Sequence, residues 1–231
     1  MEPYLITIQE MICMLFLGLV LSALCAYLMG SINSAIIVSQ AYAKEDIRNY
    51  GSGNAGMTNI LRTYGKFPAA FTALGDFAKG ALAVLLGRLF FSILGVEAFD
   101  GGFVAGFFAI LGHLFPVYFG FRGGKGVLTS AGVILVIHPL IFLILAAVII
   151  PFIFITRIVS LGSLLAAVLF PILVFFFCGK AFNIDLVFSI LMSVTVIFMH
   201  RENIKRLLNG TENRFPKGKK GKTPPAKAKK K

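Results

Sequence analysis

Three polar segments interrupt an otherwise apolar chain, and each carries residue types suited to holding anions. The first runs Asn49-Tyr-Gly-Ser-Gly-Asn-Ala-Gly-Met-Thr-Asn-Ile-Leu-Arg62. Gly51, Gly53 and Gly56 let the backbone turn tightly and present its N–H groups. Ser52, Asn54, Thr58 and Asn59 add short polar side chains, and Arg62 adds a forked cation. A helix starting near Gly56 would aim its free amides and dipole at the same spot, which makes the stretch a candidate phosphate cradle. A flexible Gly/Asn turn is the commoner fate of a single such stretch, and the missing Walker pattern excludes an ordinary P-loop. The second segment spans Gly112 to Thr129, where Gly123, Gly124 and Gly126 surround Lys125 at the head of an apolar helix. This arrangement again suits an anion. A simple positive-inside anchor would need only Arg122. The third segment spans His200 to Arg214. His200 and Asn203 stand three residues apart on one face of a continuing helix, and Ile204, Leu207 and Leu208 form an apolar stripe suited to the membrane surface.

The elements that position these segments follow from composition. Of 231 residues, 58% are hydrophobic and only 14% charged, too few charges to cover a soluble domain. A helical crossing of the hydrocarbon core takes about 20 apolar residues. Six apolar blocks are visible, approximately Met11 to Ala43, Phe77 to Leu94, Phe103 to Phe121, Val127 to Ile155, Ile158 to Cys178 and Ile184 to Met199. Proline lacks a backbone donor and biases the residue before it away from helix, so His138-Pro139 splits the fourth block. The expected fold is therefore all-α: a polytopic bundle of seven transmembrane helices, one domain over residues 1–215. A disordered basic tail over 216–231 follows, holding eight of the 22 Lys and Arg residues from Lys217 onward. Such a tail rests on anionic lipid more readily than on nucleic acid in a chain this hydrophobic. Excess Lys and Arg on the cytoplasmic side then puts the N-terminus, with Glu2 and Glu10, outside. It places the C-terminus and all three polar segments inside. Arg88 and Lys180 fit this topology poorly unless they snorkel to the outer interface. Cys13, Cys25 and Cys178 lie in apolar runs with a spacing that suits neither zinc nor a disulfide framework, and read as small buried hydrophobes. Asp76 and Lys79, at helical spacing, read as a structural ion pair.

Two glycine-rich anion sites and a His/Asn helix on one membrane face point to an enzyme handling phosphorylated molecules. The residues resemble the bacterial acyl-phosphate:glycerol-3-phosphate acyltransferases, the PlsY family. The resemblance rests on Gly51 to Arg62, on Gly112-His-Leu-Phe-Pro with Gly123-Gly-Lys-Gly-Val127, and on His200 to Leu207 with Gly210-Thr-Glu212; Gly30-Ser31-Ile32 and Lys79-Gly80 match weaker features. Asn33 and Leu128 depart from the residues common in the family, Pro and Ala. The resemblance implies transfer of a fatty acyl group from acyl phosphate to the 1-hydroxyl of glycerol 3-phosphate, the first acylation step of phospholipid synthesis. The products are 1-acylglycerol 3-phosphate (lysophosphatidic acid) and phosphate. It implies a monomer in the bacterial inner membrane, with membrane lipids and the two substrates as partners, no cofactor, no metal and no nucleic acid. A His-x-x-x-x-Asp acyltransferase motif is absent: five residues beyond His113, His138 and His200 stand Tyr118, Leu143 and Lys205.

The expected catalytic residues are Ser52, Arg62, Lys125, His200 and Asn203. Gly51, Gly53, Asn54, Gly56, Thr58, Asn59, Gly123, Gly124, Gly126 and Glu212 are expected to bind substrate. An acyl phosphate is already activated, so positioning two anions beside several cations is the main task. Direct transfer in a ternary complex needs no serine nucleophile, since no clear triad surrounds Ser52. A transporter for a phosphorylated solute is the competing class; acyl transfer by purified protein without a gradient separates the two. A structural protein with a nucleic-acid-binding tail is the third, separated by deleting the tail.

Overall fold

The structure is a computed structural model that describes residues 7–179 and 182–214. Glu2, Lys180 and the lysine-rich tail, on which the sequence reading placed expectations, lie outside the described residues. Ten α-helices are present among those described, with no strand: α1 (Ile8–Gly30), α2 (Ser34–Ala43), α3 (Met57–Tyr64), α4 (Lys66–Ile93), α5 (Gly102–Leu114), α6 (Val127–Ile137), α7 (Pro139–Thr156), α8 (Val159–Phe177), α9 (Ile184–Met199) and α10 (Arg201–Leu208).

Five stretches are long and apolar enough to cross a membrane: 8–43, 66–93, 102–119, 139–156 and 159–177; α9 with α10, bent by 59°, makes a sixth. The remaining apolar helix, α6, has 11 residues, about 16 Å of rise against a hydrocarbon core of about 30 Å. The chain is thus a multi-pass helical membrane protein with five or six full-length candidate spans. The fourth apolar block breaks where its proline predicts. His138 caps α6, and Pro139 opens α7, where its missing N–H costs no helical bond.

The first apolar block also breaks, at the small and polar residues Gly30, Ser31, Asn33 and Ser34, with no charge or proline to mark it. α1 ends at Gly30 and α2 restarts at Ser34, with Asn33 Oδ1 accepting from Ile36 N at 3.1 Å as its cap. The third polar segment does not simply continue α9: the axis turns at His200, so α10 leaves at 59°.

Small residues set the packing of the first half. α1 crosses α5 so closely that a Cβ on Gly30 would lie 2.1 Å from Ala109 O, and one on Gly112 2.2 Å from Tyr27 O. Gly80 and Gly132 do the same for α4 and α6, against Thr129 O and Phe77 O. Backbones in lipid gain little from a hydrophobic drive between helices, so such close approach supplies the dispersion contacts that hold them. Arg88 forms an ion pair with Asp100 at 2.6 Å, which joins the C-terminal part of α4 to the start of α5. Cys13 is exposed and Cys25 and Cys178 are half-buried, so they are not the buried hydrophobes their surroundings in sequence suggested. Lipid, not protein, covers an apolar side chain on an outer helix face.

Candidate functional site

The two glycine-rich segments and the His/Asn segment converge on one cavity of about 360 Å³. Ser52, Asn54, Gly56, Thr58, Asn59, Arg62, Lys125, Gly126, His200, Asn203 and Glu212 all line it. Gly51, Gly53, Gly123 and Gly124 stand in the same loops and shape them without lining the cavity.

Two helices begin at its wall. α3 starts at Met57 after Gly56, and α6 starts at Val127 after Gly126, in both cases with no side chain capping the first turn. Their free amides and positive dipole ends are available to an anion. The first loop is wound around Asn59, which is almost fully buried. Its Nδ2 donates to Tyr50 O at 2.9 Å and Asn54 O at 3.1 Å, and its Oδ1 accepts from Ser52 N at 3.0 Å. With its amide engaged on backbone groups, Asn59 shapes the loop that presents Ser52. Gly51, at φ +56°, belongs to the same arrangement: a Cβ there would stand 2.3 Å from Asn59 Oδ1. Arg48, which the sequence reading left out, ties the two glycine-rich loops together. It pairs with Asp46 at 2.7 Å and donates to the carbonyls of Phe119 at 2.7 Å and Arg122 at 2.9 Å.

The polar side chains around the cavity form a connected network. Lys125 Nζ donates to Asn203 Oδ1, and Asn203 Nδ2 donates to Glu212 Oε1 at 2.8 Å. Glu212 also accepts from Ser160 Oγ at 3.0 Å and Arg206 Nε at 2.8 Å. Burial would raise the Glu212 carboxyl, but the hydrogen bonds from Asn203, Arg206 and Ser160 outweigh it and hold it below the ordinary carboxylate value. Burial pushes the Lys125 ammonium down to about 8, with Arg206 adding to the effect, Glu212 opposing it and Arg62 contributing least. Burial likewise lowers Arg62, with Glu212 opposing; Arg62 Nη2 donates to Asn213 O at 3.5 Å. His200 is buried at the bend, and its Nδ1 lies 2.8 Å from Val196 O. A carbonyl only accepts, so the proton sits on Nδ1 and, in the neutral ring, Nε2 keeps its lone pair.

An apolar groove of about 300 Å³ adjoins the polar cavity; Val127, Leu128, Ile149, Ile150, Ser163 and Ala166 line both. Sequence reasoning missed Arg206 and Ser160, whose partner Glu212 is brought to them only by the fold. It also left Asp76 and His113 aside, although both reach the cavity wall. The Asp76–Lys79 ion pair is present at 2.9 Å. For metal ligation, one grouping among the described residues has suitable donors: His138, Cys178 and Asp185, with ligand atoms within 4.8 Å of one another. It lies beyond the far end of α6, whose 11 residues rise about 16 Å from the cavity wall.

A multi-pass helical membrane protein with a cationic, amide-lined cavity opening into an apolar groove defines a class: membrane enzymes that join a phosphorylated polar molecule to a lipidic one. The comparisons with known proteins place the chain within that class. The model of the family described as glycerol-3-phosphate acyltransferase matches residues 20–210. A glycerol-3-phosphate acyltransferase of Clostridioides difficile (strain 630) is 43% identical, covering 85% of this chain and 95% of its own. One of Agrobacterium fabrum (strain C58 / ATCC 33970) is 46% identical, covering 88% and 94%. The crystal structure of PlsY (YgiH), an integral membrane glycerol 3-phosphate acyltransferase, in its glycerol 3-phosphate form, superposes with a TM-score of 0.76 at 33% identity, covering 86% of this chain and 96% of that one. Its lysophosphatidic acid form gives 0.73 at 32% identity, covering 86% and 95%. The chain belongs to the glycerol-3-phosphate acyltransferase family.

Proposed function

We propose that this protein transfers a fatty acyl group from acyl phosphate to the 1-hydroxyl of glycerol 3-phosphate, releasing 1-acylglycerol 3-phosphate and inorganic phosphate. The observation that carries the reading is the junction of the polar cavity with the apolar groove across Val127, Leu128, Ile149 and Ile150. A phosphate head and an acyl tail need that pair of environments side by side. Glycerol 3-phosphate and lysophosphatidic acid, named for the two forms of the related PlsY structure, have the chemistry of such a substrate and product.

The hydroxyl oxygen of glycerol 3-phosphate attacks the acyl carbonyl carbon, the bond from that carbon to the phosphate oxygen breaks, and phosphate leaves. Arg62 and Lys125 counter the charge of two phosphate groups that would otherwise repel each other. Ser52 and the amides at the starts of α3 and α6 bind the acyl phosphate and the charge developing on its leaving group. Asn203 orients glycerol 3-phosphate, and neutral His200 offers Nε2 as proton acceptor for the hydroxyl. In the membrane, α6 serves as the seventh, short span, with the N-terminus outside and the cavity facing the cytoplasm of a bacterial inner membrane. Residues 1–215 act as one unit, as a monomer and without cofactor, and the tail from 216 is dispensable for turnover. A cysteine at Ser52 that labels only from the cytoplasmic side supports this orientation.

The deciding experiment supplies purified protein with acyl phosphate, with and without glycerol 3-phosphate, and follows phosphate release and the lipid product by mass spectrometry. Release that requires glycerol 3-phosphate and yields the 1-acyl product is expected. Turnover with acyl-CoA but not acyl phosphate would overturn the donor assignment.

A further inference from the structure

Asp76 and Lys79 from α4 and His113 from α5 form a buried group behind the two glycine-rich loops, and the transfer described above gives it no role. Each side chain is 7% exposed or less. Lys79 Nζ stands 2.8 Å from Ile32 O, 2.9 Å from Asp76 Oδ1 and 3.0 Å from His113 Nδ1. An ammonium has three protons and accepts nothing, and three acceptors surround this one. The carbonyl and carboxylate can only accept, so the third N–H meets the lone pair of Nδ1. The rival arrangement, Nδ1–H donating to Asp76 Oδ1, spans 3.5 Å. It would also set two protons against each other in the shorter contact with Lys79. His113 is therefore neutral, with its proton on Nε2. The whole group then has no net charge, the state that burial favours.

Nε2 lies on the side where the two loops meet. A Cβ built on Gly124 would stand 2.1 Å from His113 Nε2 and 2.6 Å from Ala55 O. Only glycine lets the Lys125 loop pass so close to both the imidazole and the Ser52 loop. Since His113 and Asp76 also reach the cavity wall, the geometry places an N–H donor between the two loops.

We propose that His113 is a substrate-binding residue that donates its Nε2–H to a phosphoryl oxygen in the cavity, with the Asp76–Lys79 pair as positioning residues that fix its tautomer. The inference rests on reading the cavity as a phosphate site. An ammonium on Nδ1 keeps the ring from serving as a base, so its function is to donate. A neutral donor adds a hydrogen bond to a phosphate without adding to the repulsion among Lys125, Arg62 and Arg206.

The test uses the purified full chain and inorganic phosphate as probe, with binding measured calorimetrically and KM measured for glycerol 3-phosphate. His113→Asn keeps an oxygen for Lys79 but ends short of the Nε2 position. His113→Gln reaches that position with an amide donor. One hydrogen bond to a charged group corresponds to a loss of about tenfold or more. The expected result is that His113→Asn weakens phosphate binding and raises KM by that factor, and His113→Gln recovers most of it. Should His113→Asn not fold, His113→Met fills the same space without a donor and takes its place. Lys125→Ala is the control for the cavity itself. If it loses phosphate and the donor-less His113 variants do not, the role of His113 is overturned while the cavity reading stands. If neither loses phosphate, both fall. Equal weakening in the Asn and Gln variants would make His113 structural and overturn the proposal.

Discussion

Asn203 Nδ2 donates to Glu212 Oε1 at 2.8 Å, and the other end of the same amide accepts from Lys125. The amide orientation is fixed by charge on both sides, since an ammonium only donates and a carboxylate only accepts. Asn203→Asp keeps the acceptor for Lys125 but sets a second carboxylate against Glu212. Asn203→Ala removes both bonds. Charge-assisted bonds of about 1.5–3 kcal/mol each lead us to expect kcat/KM to fall roughly tenfold to a hundredfold in the alanine variant and further in the aspartate variant. Phosphate-release kinetics on both check this; near-normal turnover in Asn203→Asp would remove Asn203 from the site.

Arg62 lines the same cavity as Lys125, donating to Asn213 O and feeling the charge of Glu212. Arg62→Ala is expected to lower kcat/KM by about a hundredfold or more while the protein stays folded in the membrane. Arg62→Lys is expected to recover little, because a point charge does not reproduce a planar fork against phosphate. A lysine variant within threefold of the native rate would mean that only charge, not geometry, is used at this position.

Lys125 gives the pH dependence. Burial pushes its ammonium down to about 8, and under the proposed function the protonated form is the one that holds phosphate. Activity should therefore be full below that value and fall as pH rises through about 8, approaching tenfold per unit beyond it. Lys125→Arg, which stays charged throughout, should abolish this limb even where its rate is lower. A kcat/KM profile showing the same alkaline limb in both proteins would assign the limb to another group.

The residues that line the cavity were largely legible because glycine and short polar residues are rare in apolar runs, so Gly51 to Arg62 and Gly123 to Val127 stand out by type. The break at His138 was legible because proline acts locally. What was hidden depends on contacts across the chain. The break between α1 and α2 lies in a stretch without charge or proline, where Gly30, Ser31, Asn33 and Ser34 give only a weak local signal. It is held by Lys79 donating to Ile32 O at 2.8 Å and by Asp76 accepting from Ser34 N at 3.4 Å, partners more than 40 residues away. Ser160 looks like any small residue in α8 until Glu212 arrives beside it. Asn59 had the right type for a ligand, but the loop backbone claims its amide, which spacing alone does not reveal.

Ser52 is expected to bind phosphate without becoming acylated. Its backbone N–H is held by Asn59, which fixes the residue at the cavity wall. A nucleophilic serine also needs a base within reach and a group orienting that base. His200 Nδ1 is bound to the Val196 carbonyl instead of a carboxylate, so no Asp or Glu orients it as in a triad. Acyl phosphate carries its own leaving group, and direct transfer removes any need for a covalent intermediate. Incubating the enzyme with acyl phosphate alone should therefore leave Ser52 unmodified by intact-mass analysis. Ser52→Ala should retain measurable transfer, reduced by about tenfold to a hundredfold for the lost hydrogen bond to phosphate. A stoichiometric acyl adduct on Ser52 that glycerol 3-phosphate then discharges would establish a two-step mechanism in place of direct attack.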